Sequence, residues 1–163
     1  MTTTPSTTTL STPLATTLTA PDLLDGWGRL WSGDLALAPS LVTADVTVRF
    51  GNPALAADGD AVRGPDALAA FIGAFRTGRE GLRYATRLAR SAPGHVVSVW
   101  SADDDAAGLH VGGIDLLDVA PDGRARRVWS VTAGRPVAAD DDVAPCRPPR
   151  HRAVSPAAGR VAP

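Results

Sequence analysis

Leu109-His110-Val111-Gly112-Gly113-Ile114-Asp115-Leu116-Leu117-Asp118-Val119 is followed by Pro121-Asp122-Gly123, and then by Arg126-Arg127-Val128-Trp129-Ser130-Val131-Thr132-Ala133. A long apolar run, a strong turn signal and a second apolar run predict two strands joined by a tight turn. The same grammar repeats upstream. Leu82 to Ala92 alternates Leu82, Tyr84, Thr86 and Leu88 against Arg83, Ala85, Arg87 and Ala89. Pro93-Gly94 turns the chain into a strand from His95 to Ala102. Asp103-Asp104-Asp105 with Gly108 turns it again, and Gly134-Arg135-Pro136 stops the last strand. Four successive strands with tight turns form an antiparallel meander, which must bury one face.

The cover comes from the N-terminal side. Thr19-Ala20-Pro21-Asp22 reads as an N-cap, a first-turn proline and an early acid. Leu23, Leu24, Trp27, Leu30 and Trp31 then fall on one helical face, and Gly33-Asp34 ends the helix. A short helical segment is expected from Leu35 to Leu41, and a strand from Asp45 to Phe50, where Val46 and Val48 alternate with Thr47 and Arg49. Gly51 to Gly64 reads as a loop. A second helix starts near Pro65-Asp66, buries Leu68, Phe71, Ile72 and Phe75, and stops at Gly78. The class is α+β.

Composition sets the limits. The chain has 163 residues, 44% hydrophobic and 20% charged, with a formal net charge of −1. That near-neutral balance argues against a nucleic-acid binder. No apolar run is long enough for a membrane span, and no basic residue precedes an apolar stretch at the N-terminus, so a cytoplasmic protein is expected. The single Cys146 excludes an internal disulfide framework and a Cys-rich metal site. All 16 basic residues are Arg, which with abundant Ala, Gly and Pro suggests GC-rich coding, as in actinobacteria. Residues 1–20 contain ten Thr, and residues 137–163 hold five Pro and the run Asp140-Asp141-Asp142; both read as solvated tails. The folded part is residues 21–136.

The order of these elements resembles a known family. Val111-Gly112-Gly113-Ile114-Asp115, Asp122-Gly123-Arg124 and Val128-Trp129-Ser130 look like the SnoaL-like branch of the nuclear-transport-factor-2-like superfamily. Phe50-Gly51-Asn52-Pro53, with Gly64-Pro65-Asp66-Ala67-Leu68 and Phe71, is similar to that family's loop and helix signature. The resemblance covers roughly residues 22–135. It implies a cone: a curved antiparallel sheet wrapped on helices around a deep apolar pocket. It also implies a homodimer formed through a sheet face. Family members include polyketide cyclases, ketosteroid isomerases, limonene-type epoxide hydrolases and binding modules without chemistry, so the fold leaves function open.

Asp115 is the leading candidate for chemistry. A charge in an apolar strand is costly unless it is used or paired. The resemblance implies that an acid here lines the pocket and stays protonated to donate to a developing oxyanion. Gly113 is expected to leave room for a ligand beside it. His110 suits proton transfer near neutrality. Five residues separate it from Asp115, so the two share a face only if Gly112-Gly113 forms a bulge; otherwise His110 lies at a strand start, on the surface or at a dimer interface. Asn52 either orients a ligand oxygen through its amide or merely shapes the turn. The resemblance places either Asn52 or Phe50 where the isomerases carry an acidic base, and neither can act as one, which puts steroid-type isomerisation in doubt. The last strand offers Val128, Ser130 and Thr132 on one face but no acid, which weakens an aldol-cyclase reading. The resemblance implies that an epoxide hydrolase pairs the acid matching Asp115 with an Arg two residues earlier, where Gly113 stands, so that set is incomplete. Trp27, Trp31, Trp100 and Trp129 are candidate walls for a flat ligand, and Tyr84 a candidate hydroxyl donor.

No GxGxxG, P-loop, HExxH or paired-Cys pattern is present. The expected protein is therefore a small-molecule cyclase or isomerase of secondary metabolism, such as antibiotic biosynthesis, with no metal and no cofactor. Its substrate would be a small hydrophobic polyketide-like or terpenoid intermediate. The alternatives are a non-catalytic binding or assembly module, and a limonene-type epoxide hydrolase with a rearranged site.

Overall fold

In a computed structural model that describes residues 17–134, Thr19 starts the first helix. Its side chain accepts from the Asp22 N–H, and α1 runs Ala20–Trp31. Just ahead of it, the Leu18 N–H donates to the Asp122 carbonyl at 3.0 Å. The rest of the two expected tails lies outside the described residues. A 3-10 turn (Leu35–Leu37) and the short α2 (Ala38–Leu41) lead into β1 (Val42–Phe50), which begins three residues earlier than its alternation suggested.

The expected loop after β1 contains a helix. Asn52 accepts from the Ala54 N–H at 3.0 Å and caps α3 (Pro53–Asp60), with Pro53 at its first position. This is the cap-plus-proline signal of α1 over again. Helix α4 (Gly64–Arg76) follows. The meander then forms as the turns dictate: β2 (Arg83–Ala92), β3 (His95–Asp104), β4 (Leu109–Val119) and β5 (Ala125–Ala133). Strand β3 runs two residues further than expected. Its last residue, Asp104, is buried and accepts from the Ala107 N–H rather than standing in solvent.

Sheet order is β1-β5-β4-β3-β2. The meander is antiparallel, but β1 joins β5 in parallel, so the sheet is mixed rather than wholly antiparallel. Register breaks fall between Val42 and Thr47, between Thr86 and Leu88, and between Asp118 and Val119. Such irregularities bend strands and raise local twist. The inward face packs on α1 and α4, with Leu23, Trp27, Leu30, Val46, Val48, Leu68, Ile72, Leu117 and Val128 fully buried between the layers.

Candidate functional site

Asp115 stands in the middle of β4, paired with Ser98 of β3 and Ser130 of β5. All three are buried, and Asp115 is only 2% exposed. Thr86 Oγ1 lies 3.3 Å from Ser98 Oγ. A polar row therefore crosses an otherwise apolar face. Three donors close on the carboxylate. Trp100 Nε1 donates to Oδ1 at 2.8 Å, while Trp27 Nε1 and the Tyr84 hydroxyl donate to Oδ2 at 2.9 and 2.8 Å. They come from β3, α1 and β2, so the acid ties the first helix to the sheet.

Gly113 makes this possible, though not as the sequence suggested. Its gap is filled by the Trp100 indole, which would overlap a Cβ at this position. No space for a ligand remains there. Burial pushes the Asp115 carboxyl above the usual carboxylate range, with the neighbouring Ser130 hydroxyl and the Trp27, Tyr84 and Trp100 donors pulling the other way. Burial also holds the Tyr84 phenol well above its ordinary value, reinforced by the charge of Asp115 and the hydrogen bond to it.

A cavity of about 270 Å³ lies against this group. Its wall includes Trp31, Tyr84, Trp100 and Asp115, with Asn52, Ser130 and Thr132 as further polar groups. Trp31 is ringed by aromatic neighbours: Phe50, Phe71 and Phe75 meet it edge-on at 5.9–6.4 Å, and Tyr84 stacks at 6.4 Å. Tyr84 in turn lies 4.9 Å from Trp100. The rings fix one another, so the walls are stiff.

Of the candidate residues, Asp115, Trp31, Asn52, Tyr84 and Trp100 meet at this cavity. Trp27 stands behind the wall and touches the site through its N–H. Two candidates are elsewhere. Strand β4 keeps unbroken register with both neighbours through Gly112 and Gly113, so the bulge that would bring His110 to the face of Asp115 is absent. His110 lies on the opposite face with its side chain 45% exposed, its Nδ1 3.2 Å from Asp103 Oδ1. Trp129 likewise points outward, 37% exposed under the Arg127 guanidinium, because it alternates with the inward Val128 and Ser130. Asn52 spends its side-chain oxygen on the α3 cap, which leaves the amide N–H₂ as its free donor. Arg79 also lines the cavity, and sequence reasoning missed it. Its only local signal is its place after the Gly78 helix stop.

No protein-family model matches this sequence, and no curated protein matches it at a significant level. Solved structures do match. One is a protein of Agrobacterium tumefaciens provisionally assigned as an isomerase of the SnoaL-like family, at 15% identity and a TM-score of 0.59, covering 71% of this chain and 97% of that one. Another is IdmH of Streptomyces antibioticus, provisionally assigned as a polyketide cyclase, at 12% identity and a TM-score of 0.56, covering 69% and 91%. A third is a nuclear-transport-factor-2-like protein of unknown function from Mesorhizobium loti, at 21% identity and a TM-score of 0.57, covering 71% and 91%. These likenesses, together with the curved sheet on its helices, show that the chain has the nuclear-transport-factor-2-like cone fold shared by proteins assigned to the SnoaL-like isomerases and polyketide cyclases.

Proposed function

We propose that the protein is a cofactor-independent cyclase or isomerase acting on a small hydrophobic polyketide-like or terpenoid intermediate, as in antibiotic biosynthesis. The observation that carries this reading is the buried Asp115 carboxyl hydrogen-bonded to the Tyr84 hydroxyl in the wall of an apolar cavity. When Asp115 is protonated on Oδ2, it donates to the Tyr84 oxygen. Tyr84 then turns its own hydrogen toward a substrate oxygen. As negative charge develops on that oxygen, the Tyr84 proton moves to it and the Asp115 proton replaces it on Tyr84. The carboxylate left behind is the species that Trp27, Trp100 and Tyr84 hold in the structure. A nucleophilic hydroxyl that loses its proton during ring closure returns one through Tyr84, so no proton is consumed. Acid placed at oxygen suits ring closure by conjugate addition or epoxide opening, with the stiff aromatic wall holding the reactive conformer.

One observation favours a second reading. Both carboxylate oxygens already have protein donors, which is also how a purely structural acid is held. A non-catalytic binding module would use the same cavity without turnover. Incubating the purified chain with extract of its own source cells, in which the gene has been deleted, separates the two. An enzyme converts many equivalents of one compound to a product of equal mass, or of that mass less water, followed by mass spectrometry. A binding module retains one equivalent unchanged, and that outcome overturns the enzymatic reading.

The same proposal places the protein in the cytoplasm as a homodimer. Ile114, Trp129 and Val131 on the outer sheet face are 50%, 37% and 58% exposed, an apolar cluster on neighbouring strands that suits a second copy.

A further inference from the structure

The cavity wall contains two charged side chains, and the proposed reaction uses one of them. Asp115 is fully enclosed. Arg79 is partly exposed, so it stands where the cavity meets solvent. Its placement is fixed from several directions. Gly78, at φ +74°, turns the chain after α4. The Arg79 N–H donates to the Arg76 carbonyl at 2.8 Å, and the Arg79 carbonyl accepts from the Leu82 N–H at 3.0 Å. The guanidinium lies over the Phe75 ring, 4.9 Å from its centroid, and Nη1 donates to the Phe75 carbonyl. Among the described residues no carboxylate lies within 4 Å of it, which it shares with Arg63, Arg76, Arg83, Arg90 and Arg126, but among them it alone lines the cavity. Its Nε and Nη2 donors have no protein acceptor among those residues. A guanidinium held this way is preorganised for a planar anion.

We propose that the ligand is an apolar molecule bearing a carboxylate, which Arg79 holds at the cavity mouth while Tyr84 and Asp115 meet an oxygen at its inner end. This rests on the functional reading above and adds the substrate class. Phe75, Leu82, Leu109 and Val111 supply apolar wall for the body of such a molecule. A single guanidinium with no second cation in the wall suits a monoanion rather than a phosphate ester. Arg79 would then set specificity and orientation, choosing which oxygen reaches Tyr84.

The test is calorimetric binding of 2-naphthoate and of its methyl ester to the full chain, to Arg79→Gln and to Arg79→Lys. The parent is expected to prefer the acid by about five- to tenfold, the range of one partly exposed charge-assisted contact. The preference should shrink as salt is raised. Arg79→Gln should lose the preference while still binding the ester, and a melting temperature near the parent's shows that the variant is folded. Arg79→Lys should keep part of it. Equal binding of acid and ester by the parent, or a preference that survives Arg79→Gln, overturns the role of Arg79 and leaves the cavity reading standing. Failure of both probes to bind overturns the cavity reading, and the carboxylate proposal with it.

Discussion

Asp115 meets two partners that can only donate. An indole N–H has no lone pair to offer, so Trp27 and Trp100 each need a carboxylate oxygen. Asp115→Asn therefore cannot be a silent isostere. Whichever way the amide turns, one indole faces an N–H₂, and we expect a loss of about 1–3 kcal/mol in urea unfolding. The pH dependence has a definite sign. Burial raises the folded carboxyl above its unfolded value, so the folded chain binds this proton more tightly. That contribution is complete below the ordinary carboxylate range and is lost as pH rises through the folded pKa. The stability gap between the parent and Asp115→Asn should therefore narrow on going from about pH 4 to about pH 7. A gap that widens would mean that the hydrogen bonds outweigh burial. Asp115 itself was legible in the sequence because a charge among Ile114, Leu116 and Leu117 has to be accounted for. Its partners were not, since nothing local links Trp27 or Tyr84 to a residue on β4.

At the scale of elements, α3 shows how a signal can be present and still be passed over. Asn52-Pro53 repeats the cap and proline of Thr19 and Pro21, but the helix it starts bunches Ala54, Leu55, Ala56 and Ala57 without one-sided spacing and includes Gly59, so periodicity was silent. Asn52→Ala should cost about 1 kcal/mol through the lost cap, whereas Asn52→Asp keeps the acceptor and should restore it. The Asp variant also removes the amide donor, so altered ligand binding in a variant of parental stability would assign that donor to the cavity. The meander strands were legible because Pro93-Gly94 and Pro121-Asp122-Gly123 mark their turns. The parallel pairing of β1 with β5 was not, because strand partners distant in sequence leave no local trace. On β4, a Cβ at Gly113 would meet both the Trp100 ring and the Val131 backbone carbonyl of β5, so Gly113→Ala should disturb the β4–β5 pairing as well as the Trp100 contact with the acid and cost at least about 1–3 kcal/mol, with a changed near-UV dichroism spectrum. Unchanged Trp signals would contradict the packing of that ring on β4.

For the whole molecule, the fold supplies a container and not a reaction. Proteins of the same fold include one assigned as an isomerase and one of unknown function, so chemistry must be argued from the wall. The outward Trp129 and Val131 bear on assembly: Val131→Arg should shift light-scattering mass from dimer to monomer, and a parent that is already monomeric would remove the dimer from the account. In the proposed reaction Tyr84 and Asp115 act together on a bound substrate. Tyr84→Phe is the cleanest probe, because it removes the cavity hydroxyl while Trp27 and Trp100 still hold both oxygens of the acid. The deciding measurement is the rate at which this variant converts the compound that the parent converts in source-cell extract, with melting curves run alongside. We predict a fall on the order of a hundredfold or more in a variant that melts near the parent temperature. Conversion at the parental rate by a folded Tyr84→Phe would contradict the mechanism.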